Sequence, residues 1–165
     1  MNATVPDHNA LEAAAFVARY RELFEHSPWV VERAAARRPF PDLHAGLMAV
    51  VHAASAEEQE RLVRAHPELA GKAAIDRTLT VASAAEQAGA GLDRLTAEEF
   101  ERFHALNAAY RERFGFPFVI CVRLTDKAGI LAAMQARLAN ARDVELARAI
   151  EQIGHIVRLR LEATA

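Results

Sequence analysis

From about residue 9 onward, apolar positions recur every three or four residues more often than they alternate, which places them along one side of a helix. The pattern predicts helix almost throughout. A first helix is expected from near Asn9, with Leu11, Ala15, Val17, Leu23 and Phe24 as its apolar contacts. A second takes Ser27 as N-cap and Pro28 as its first helical residue, where proline's missing N–H costs least. It stops before "RRPFPDL", whose two prolines disfavour helix. A third follows Asp42 through "LHAGLMAVVHAA", and a fourth opens at Ser55, with Glu58 three residues on as a capping box. Thr96 and Glu99 repeat that box. The run Phe100, Phe103, Leu106, Asn107, Tyr110 and Phe114 then continues to Gly115, a suitable terminator. Two further helices, through "KAGILAAMQARLAN" and "DVELARAIEQIGHIVRLRLEA", complete the expected fold. It is an all-α, single-domain bundle of about seven to eight helices over residues 1–165.

One segment breaks the helical rule. "FGFPFVICVR", from Phe114 to Arg123, sets Gly115 and Pro117 before a continuous apolar run, so a short extended segment is expected near 116–122. Buried extended backbone needs partners for its N–H and C=O groups, and some of them can face a ligand.

Composition narrows the function classes. With 20 Lys plus Arg against 22 Asp plus Glu, the net charge is -2, and no basic footprint for nucleic acid is present. Cys121 is the single cysteine and cannot form an internal disulfide, which favours a reducing compartment. The opening "MNATVPDHNALEAA" lacks a basic start and an apolar signal core, and no apolar run approaches the ~18 residues needed to span a bilayer. A soluble, cytoplasmic protein is expected, with a small-molecule partner rather than nucleic acid or membrane.

Several residues are candidates for chemistry. His66, in "LVRAHPELAGK", is followed by Pro67, which disfavours helix for the residue before it, so the histidine sits at a helix stop. There it either caps the last carbonyls or acts as general acid or base, since imidazole titrates near neutrality. Ser83 with Glu86 reads as a third capping box; a helix starting at Ser83 would also present free N–H groups to an anion. Both readings stay open at this level. Cys121 lies in an apolar run with nothing nearby to activate a thiolate. The histidines show no metal-binding spacing, and "AGK" at 70–72 lacks the glycine-spaced loop of a phosphate site, so no metal is expected. Arg158 and Arg160 stand two apart on a helix and point to different faces, so at most one serves an inward site.

Taken in order, "HPELAGK", "LT...S..EQAGAGL", "LNAAYRERFGFPFVICVR" and the tail "IL..M..RL.N....E...A......I..LRLE" closely resemble the 2-oxo-4-hydroxy-4-carboxy-5-ureidoimidazoline (OHCU) decarboxylases of urate degradation. The likeness covers nearly the whole chain, with the N-terminal third matching mainly in helical layout and in "RRPF.D". It implies an all-helical, usually homodimeric carboxy-lyase that needs no cofactor and converts OHCU to S-allantoin and carbon dioxide. Carried over residue by residue, the proton-handling histidine is His66, with Pro67 lining the site. Ser83, Ala84, Ala85, Glu86 and Gln87 form the substrate-binding segment, with Glu86 the functional carboxylate. Phe118, Val119, Ile120, Cys121 and Val122 supply backbone contacts, and the arginine of "LRL" is Arg160. The acidic residue that the family often carries before the serine is Ala82 here, and the chain ends "EATA" rather than in a Ser-Lys-Leu peroxisomal address.

The chemistry of that reaction suits these residue types. Loss of carbon dioxide leaves an electron pair that many decarboxylases delocalise into a cofactor. The family's substrate carries its own electron sink, a C=N bond beside the carbon that loses carbon dioxide. What is left to the protein is to hold the anion, stabilise charge moving onto the ring and deliver a proton to one face. The competing class is a non-catalytic helical adaptor, which predicts that His66, Glu86 and Arg160 are dispersed. The enzyme reading predicts that they converge on a cleft lined by 118–122.

Overall fold

Polar side chains cap the helix starts at Asp42, Ser55, Thr80, Thr96 and Asp126. The computed structural model describes residues 7–75 and 77–164, which form helices joined by turns and irregular segments with no strand among them. The all-α expectation therefore holds. The chain divides into two units, one of residues 1–62 with 154–165 and one of residues 63–153.

The first unit contains α1 (Ala13–Tyr20), a 3₁₀ turn (Arg21–Leu23), α2 (Trp29–Ala35), α3 (Leu43–Ala53), most of α4 (Ala56–Arg64) and the end of α9 (Arg142–Ala163). Asp42 caps α3 by accepting from the Ala45 N–H at 2.8 Å, and Ser55 and Glu58 form the expected reciprocal box, both bonds at 3.1 Å. The first helix differs from expectation. It begins at Ala13 because Asn9 spends its amide elsewhere: Oδ1 accepts from the Phe40 N–H at 2.8 Å and Nδ2 donates to the Phe40 carbonyl at 2.9 Å. Its buried stripe is Phe16 and Tyr20, continued by Leu23 and Phe24, whereas Ala15 is exposed and Leu11 and Val17 are half-buried. The second helix starts one residue later than expected: Trp29 is its first residue and Pro28, with helical dihedrals, its N-cap, and what Ser27 contributes is its carbonyl, which accepts from the Val30 N–H at 3.4 Å. Val30, Val31, Leu47, Val51, Leu62 and Val157 are fully buried in this unit.

The second unit contains α5 (Lys72–Ile75), α6 (Val81–Gly89), α7 (Ala97–Phe114), a 3₁₀ turn (Val122–Leu124), α8 (Lys127–Arg137) and the first part of α9. The Thr96–Glu99 capping box opens α7, and Gly115 closes it at φ +78, a left-handed conformation that suits glycine. Phe103, Tyr110, Phe114, Phe116, Phe118, Ile130, Met134 and Ile153 are buried. Tyr110 stands edge-on to Phe118 with ring centroids 5.3 Å apart, and α7 packs on α8. The segment expected to be extended is irregular over 115–121 and turns into the 3₁₀ turn at Val122, so Val122 lies outside the extended part.

Candidate active site

His66 follows the end of α4, and its N–H closes the last turn onto the Val63 carbonyl at 3.1 Å. Pro67 then turns the chain out of the helix, and His66 remains buried at 8% exposure. The next residues run along α7 through contacts spaced four apart on that helix. Asn107 Nδ2 donates to the Leu69 carbonyl at 2.8 Å, Arg111 pairs with Glu68, and the Gly115 carbonyl accepts from Arg64 Nε at 3.3 Å. From the other side, Gln87 Oε1 accepts from the Ala70 N–H at 3.0 Å. The segment bearing His66 is thus tied to both α6 and α7.

Ser83 does not begin α6. Thr80 is the N-cap, its hydroxyl accepting from the Ser83 N–H at 3.2 Å, so the cap lies three residues earlier than the Ser83–Glu86 box implied. A threonine at the end of "RTLT" is an equally good cap, and choosing it carries Ser83 inside, to 6% exposure. Ala84 and Ala85 are exposed, Glu86 is half-buried and Gln87 is buried. The helix packs on the 3₁₀ turn at 122–124, close enough that the Glu86 carboxylate adds to the rise of the Cys121 thiol pKa. Burial is the larger cause of that rise. Ala84, Gln87 and Ala88 instead line a cleft of about 1040 Å³, together with Ala70, Leu92 and Phe100. His66, Glu86 and the 118–122 segment are not among its lining residues, which departs from the expected cleft.

Segment 118–122 is held from behind. Arg137 Nη1 donates to the Val119 carbonyl at 2.9 Å, and its guanidinium lies 4.3 Å from the Phe118 ring centroid. The same arginine donates from Nε to Glu145 Oε1 at 2.8 Å, a carboxylate that also accepts from Tyr110 and Asn140. The Cys121 N–H donates to Gln152 Oε1 at 3.0 Å, and its carbonyl accepts from the Leu124 N–H at 3.1 Å. Neither the N–H nor the C=O of Ile120 forms a hydrogen bond among the described residues. This narrows the expected backbone contacts: those of Cys121 and the carbonyls of Val119 and Val122 are already used by the protein, whereas both groups of Phe118 and Ile120 and the N–H groups of Val119 and Val122 form no hydrogen bond among the described residues.

In the first unit, Arg160 is buried at 8% and Arg158 is exposed, so of the two arginines it is Arg160 that faces inward. Its Nη1 lies 3.4 Å from the Glu22 carbonyl and 3.8 Å from Glu25 Oε1. Among the described residues there is no group of three or more His, Cys, Asp or Glu that could hold a metal ion. No helix among them is long and apolar enough to cross a membrane.

Sequence reasoning missed the supporting residues. Asn107 stood in an apolar stripe and Arg137 in a helical run, and neither spacing separates a buried polar group from a surface one. Gln152 and Glu145 carry no local signal at all.

Comparison with known proteins places this geometry. A family model described as OHCU decarboxylase matches residues 9–162. The 2-oxo-4-hydroxy-4-carboxy-5-ureidoimidazoline decarboxylase of Haloferax volcanii is 43% identical, over 96% of this chain and 94% of its own. The uric acid degradation bifunctional protein PucL of Bacillus subtilis is 39% identical, over 96% of this chain and 32% of that protein. Among solved structures, a crystal structure of (S)-allantoin synthase superposes with a TM-score of 0.72 at 29% identity, over 96% of this chain and 52% of the other. With a family match across almost its whole length, the chain belongs to the OHCU decarboxylase family.

Proposed function

We propose that this chain is a carboxy-lyase that decarboxylates OHCU to S-allantoin in urate degradation without a cofactor. Family membership over residues 9–162 carries the reading. It is supported by the way the 66–70 segment and α6 are hydrogen-bonded together while α6 packs on the turn that follows 118–121. The C–C bond to the carboxylate breaks, its electron pair forms a C=C bond to the neighbouring ring carbon while the C=N pair passes to nitrogen, which takes up a proton; the hydroxyl proton then leaves and a carbonyl forms as that neighbouring carbon is protonated. His66 handles that proton and protonates the enol-like intermediate on one face, which sets the S configuration. Acid–base help of this kind is worth roughly 10² to 10⁴ in rate.

Glu86 and Gln87 hold the ureido group. The Gln87 carbonyl is engaged by Ala70, so its amide hydrogens are the part that meets substrate. Ser83, Ala84 and Ala85 present the middle of α6, Pro67 lines the site beside His66, and the 118–122 backbone, at Ile120 above all, orients the ring. The role of Arg160 in pairing with an anionic group rests on the family likeness alone. The activity belongs to the whole chain, 1–165, working as a homodimer in the cytoplasm; light scattering reads that assembly directly.

The deciding experiment generates OHCU in situ from urate with the two preceding enzymes and follows optical activity. Rapid appearance of one allantoin enantiomer is the expected result, against racemic product from spontaneous decay. His66→Ala is expected to keep the helical circular dichroism and lose most turnover. Racemic product at the spontaneous rate with the wild-type chain refutes the reading, and undiminished stereoselective turnover by the variant refutes the role of His66.

A further inference from the structure

The carbonyl of Leu69 and the N–H of Ala70 are the two polar groups of a single peptide. Asn107, from α7, donates to the carbonyl at 2.8 Å, and Gln87, from α6, accepts from the N–H at 3.0 Å. Both bonds are buried, so the peptide plane cannot rotate without breaking two hydrogen bonds out of reach of water. Its orientation matters because Ala70 sits at φ +52, a left-handed conformation that a residue with a Cβ adopts at a cost. Turning this peptide over would return Ala70 to negative φ and relieve the strain. The two side-chain amides oppose that turn.

Stability does not explain Asn107. The residue is 4% exposed, and its Oδ1 is buried with no hydrogen-bond partner among the described residues. An apolar side chain of the same size would remove that orphaned acceptor and leave the Leu69 carbonyl as another, so the exchange is close to neutral for stability. The other contacts that lay this segment on α7 involve exposed side chains, Arg64 and Arg111, and exposed pairs hold little. Between His66 and the clamped peptide stand only Pro67, whose ring restricts its backbone, and Glu68.

We propose that Asn107 is a positioning residue for the reaction: with Gln87 it clamps the Leu69–Ala70 peptide in its strained orientation and so sets where the His66 imidazole points. The proposal rests on the acid–base role of His66 given above. A displacement of about 1 Å at a reacting group can cost about 100-fold in rate, so a peptide flip three residues away is enough to matter.

The test uses the full chain and reads both the clamp and the chemistry. In the wild type, the Ala70 amide is expected to exchange with solvent about 100-fold more slowly than an unprotected amide; an unprotected rate overturns the proposal. Asn107→Leu is expected to fold with a Tm close to wild type and to speed exchange at Ala70 by about tenfold. Its kcat is expected to fall about 10- to 100-fold with KM within about threefold of wild type. Adding Ala70→Gly, which makes positive φ free of strain, is expected to recover part of that kcat, a rescue that filling a void would not produce. Asn107→Leu that fails to fold, or that keeps wild-type kcat, overturns the proposal, as does a double variant with no recovery. A wild-type chain inactive on OHCU refutes the functional reading instead, and the exchange rates at Ala70 still decide whether the clamp exists.

Discussion

The phenol of Tyr110 donates a 2.6 Å hydrogen bond to Oε1 of Glu145, a carboxylate with no exposed surface. Arg137 is the cation that balances that buried charge, through Nε at 2.8 Å, and the same guanidinium holds the Val119 carbonyl. Three helices, α7, α8 and α9, therefore meet in one polar network directly behind the 118–122 segment.

Removing the cation leaves Glu145 as an uncompensated buried charge. Arg137→Met is expected to cost about 3–5 kcal/mol in urea unfolding. Tyr110→Phe, which removes one bond to a charged acceptor, is expected to cost about 1.5–3 kcal/mol. Arg137→Met is also expected to raise KM for OHCU, since the 118–122 backbone proposed to orient the ring loses its support. Burial first, and the bond to Glu145 second, raise the Tyr110 phenol above its ordinary pKa of 10.0. Because the fold favours the neutral phenol, its contribution is complete below the unfolded pKa and is lost as pH rises through the folded one. Alkaline titration is expected to show Tyr110 ionising only with unfolding.

Cys121 offers a direct check on the placement of Glu86. Its thiol pKa is raised chiefly by burial and further by the Glu86 carboxylate, so the thiolate is scarce at neutral pH. Iodoacetamide is expected to leave the folded chain unlabelled. Glu86→Gln is expected to lower the thiol pKa, though not to that of an exposed cysteine, and ultraviolet thiolate absorbance against pH reads the shift. An unmoved titration would separate Glu86 from Cys121.

Acid sensitivity is expected from Arg33 and Glu58, which pair at 2.6 and 3.3 Å. The hydrogen bond from Arg33, with the Ser55 backbone N–H next, lowers the Glu58 pKa from 4.5 to about 2. A depressed carboxylate stabilises the fold above its unfolded pKa, and that contribution is lost as pH falls from 4.5 through about 2. Glu58→Gln is expected to flatten the pH dependence of unfolding in that window, and Tm measured across it checks the sign.

Gly46 leaves no room for a larger residue, because an added Cβ would run into the Phe40 ring. Phe40 cannot easily retreat, since Asn9 holds both its N–H and its carbonyl. Gly46→Ala is expected to destabilise by about 1–3 kcal/mol, as overpacking does. Adding Asn9→Ala is expected to cost less than its effect alone, and a double-mutant cycle by urea unfolding reads the coupling.

Helix identity was legible wherever a capping side chain and an apolar period agree. Ser55 with Glu58, Thr96 with Glu99, Asp42 and Gly115 all mark the boundaries they were expected to mark, because each bonds or bends within a few residues of itself. Asn9 and Ser83 were misread for different reasons, one a distant partner and the other an equally good cap three residues away. Asn9 has a better partner in Phe40, 31 residues away, and Ser83 stands inside a helix that Thr80 had already begun. Local patterns cannot weigh a distant partner against a near one.

The order of motifs determined, by itself, the family and the all-helical class, and it singled out His66, Glu86 and the 118–122 run as the residues proposed for the site, since those depend on which residues follow which. Tertiary structure alone decided which of their groups the protein itself already bonds. It bonded the Cys121 amide to Gln152, left that of Ile120, and set Gln87 and Asn107 on opposite ends of one peptide. Those choices bring together residues 17 to 38 positions apart, and they follow from the packing of α6 and α7 around a buried loop, which no local spacing encodes.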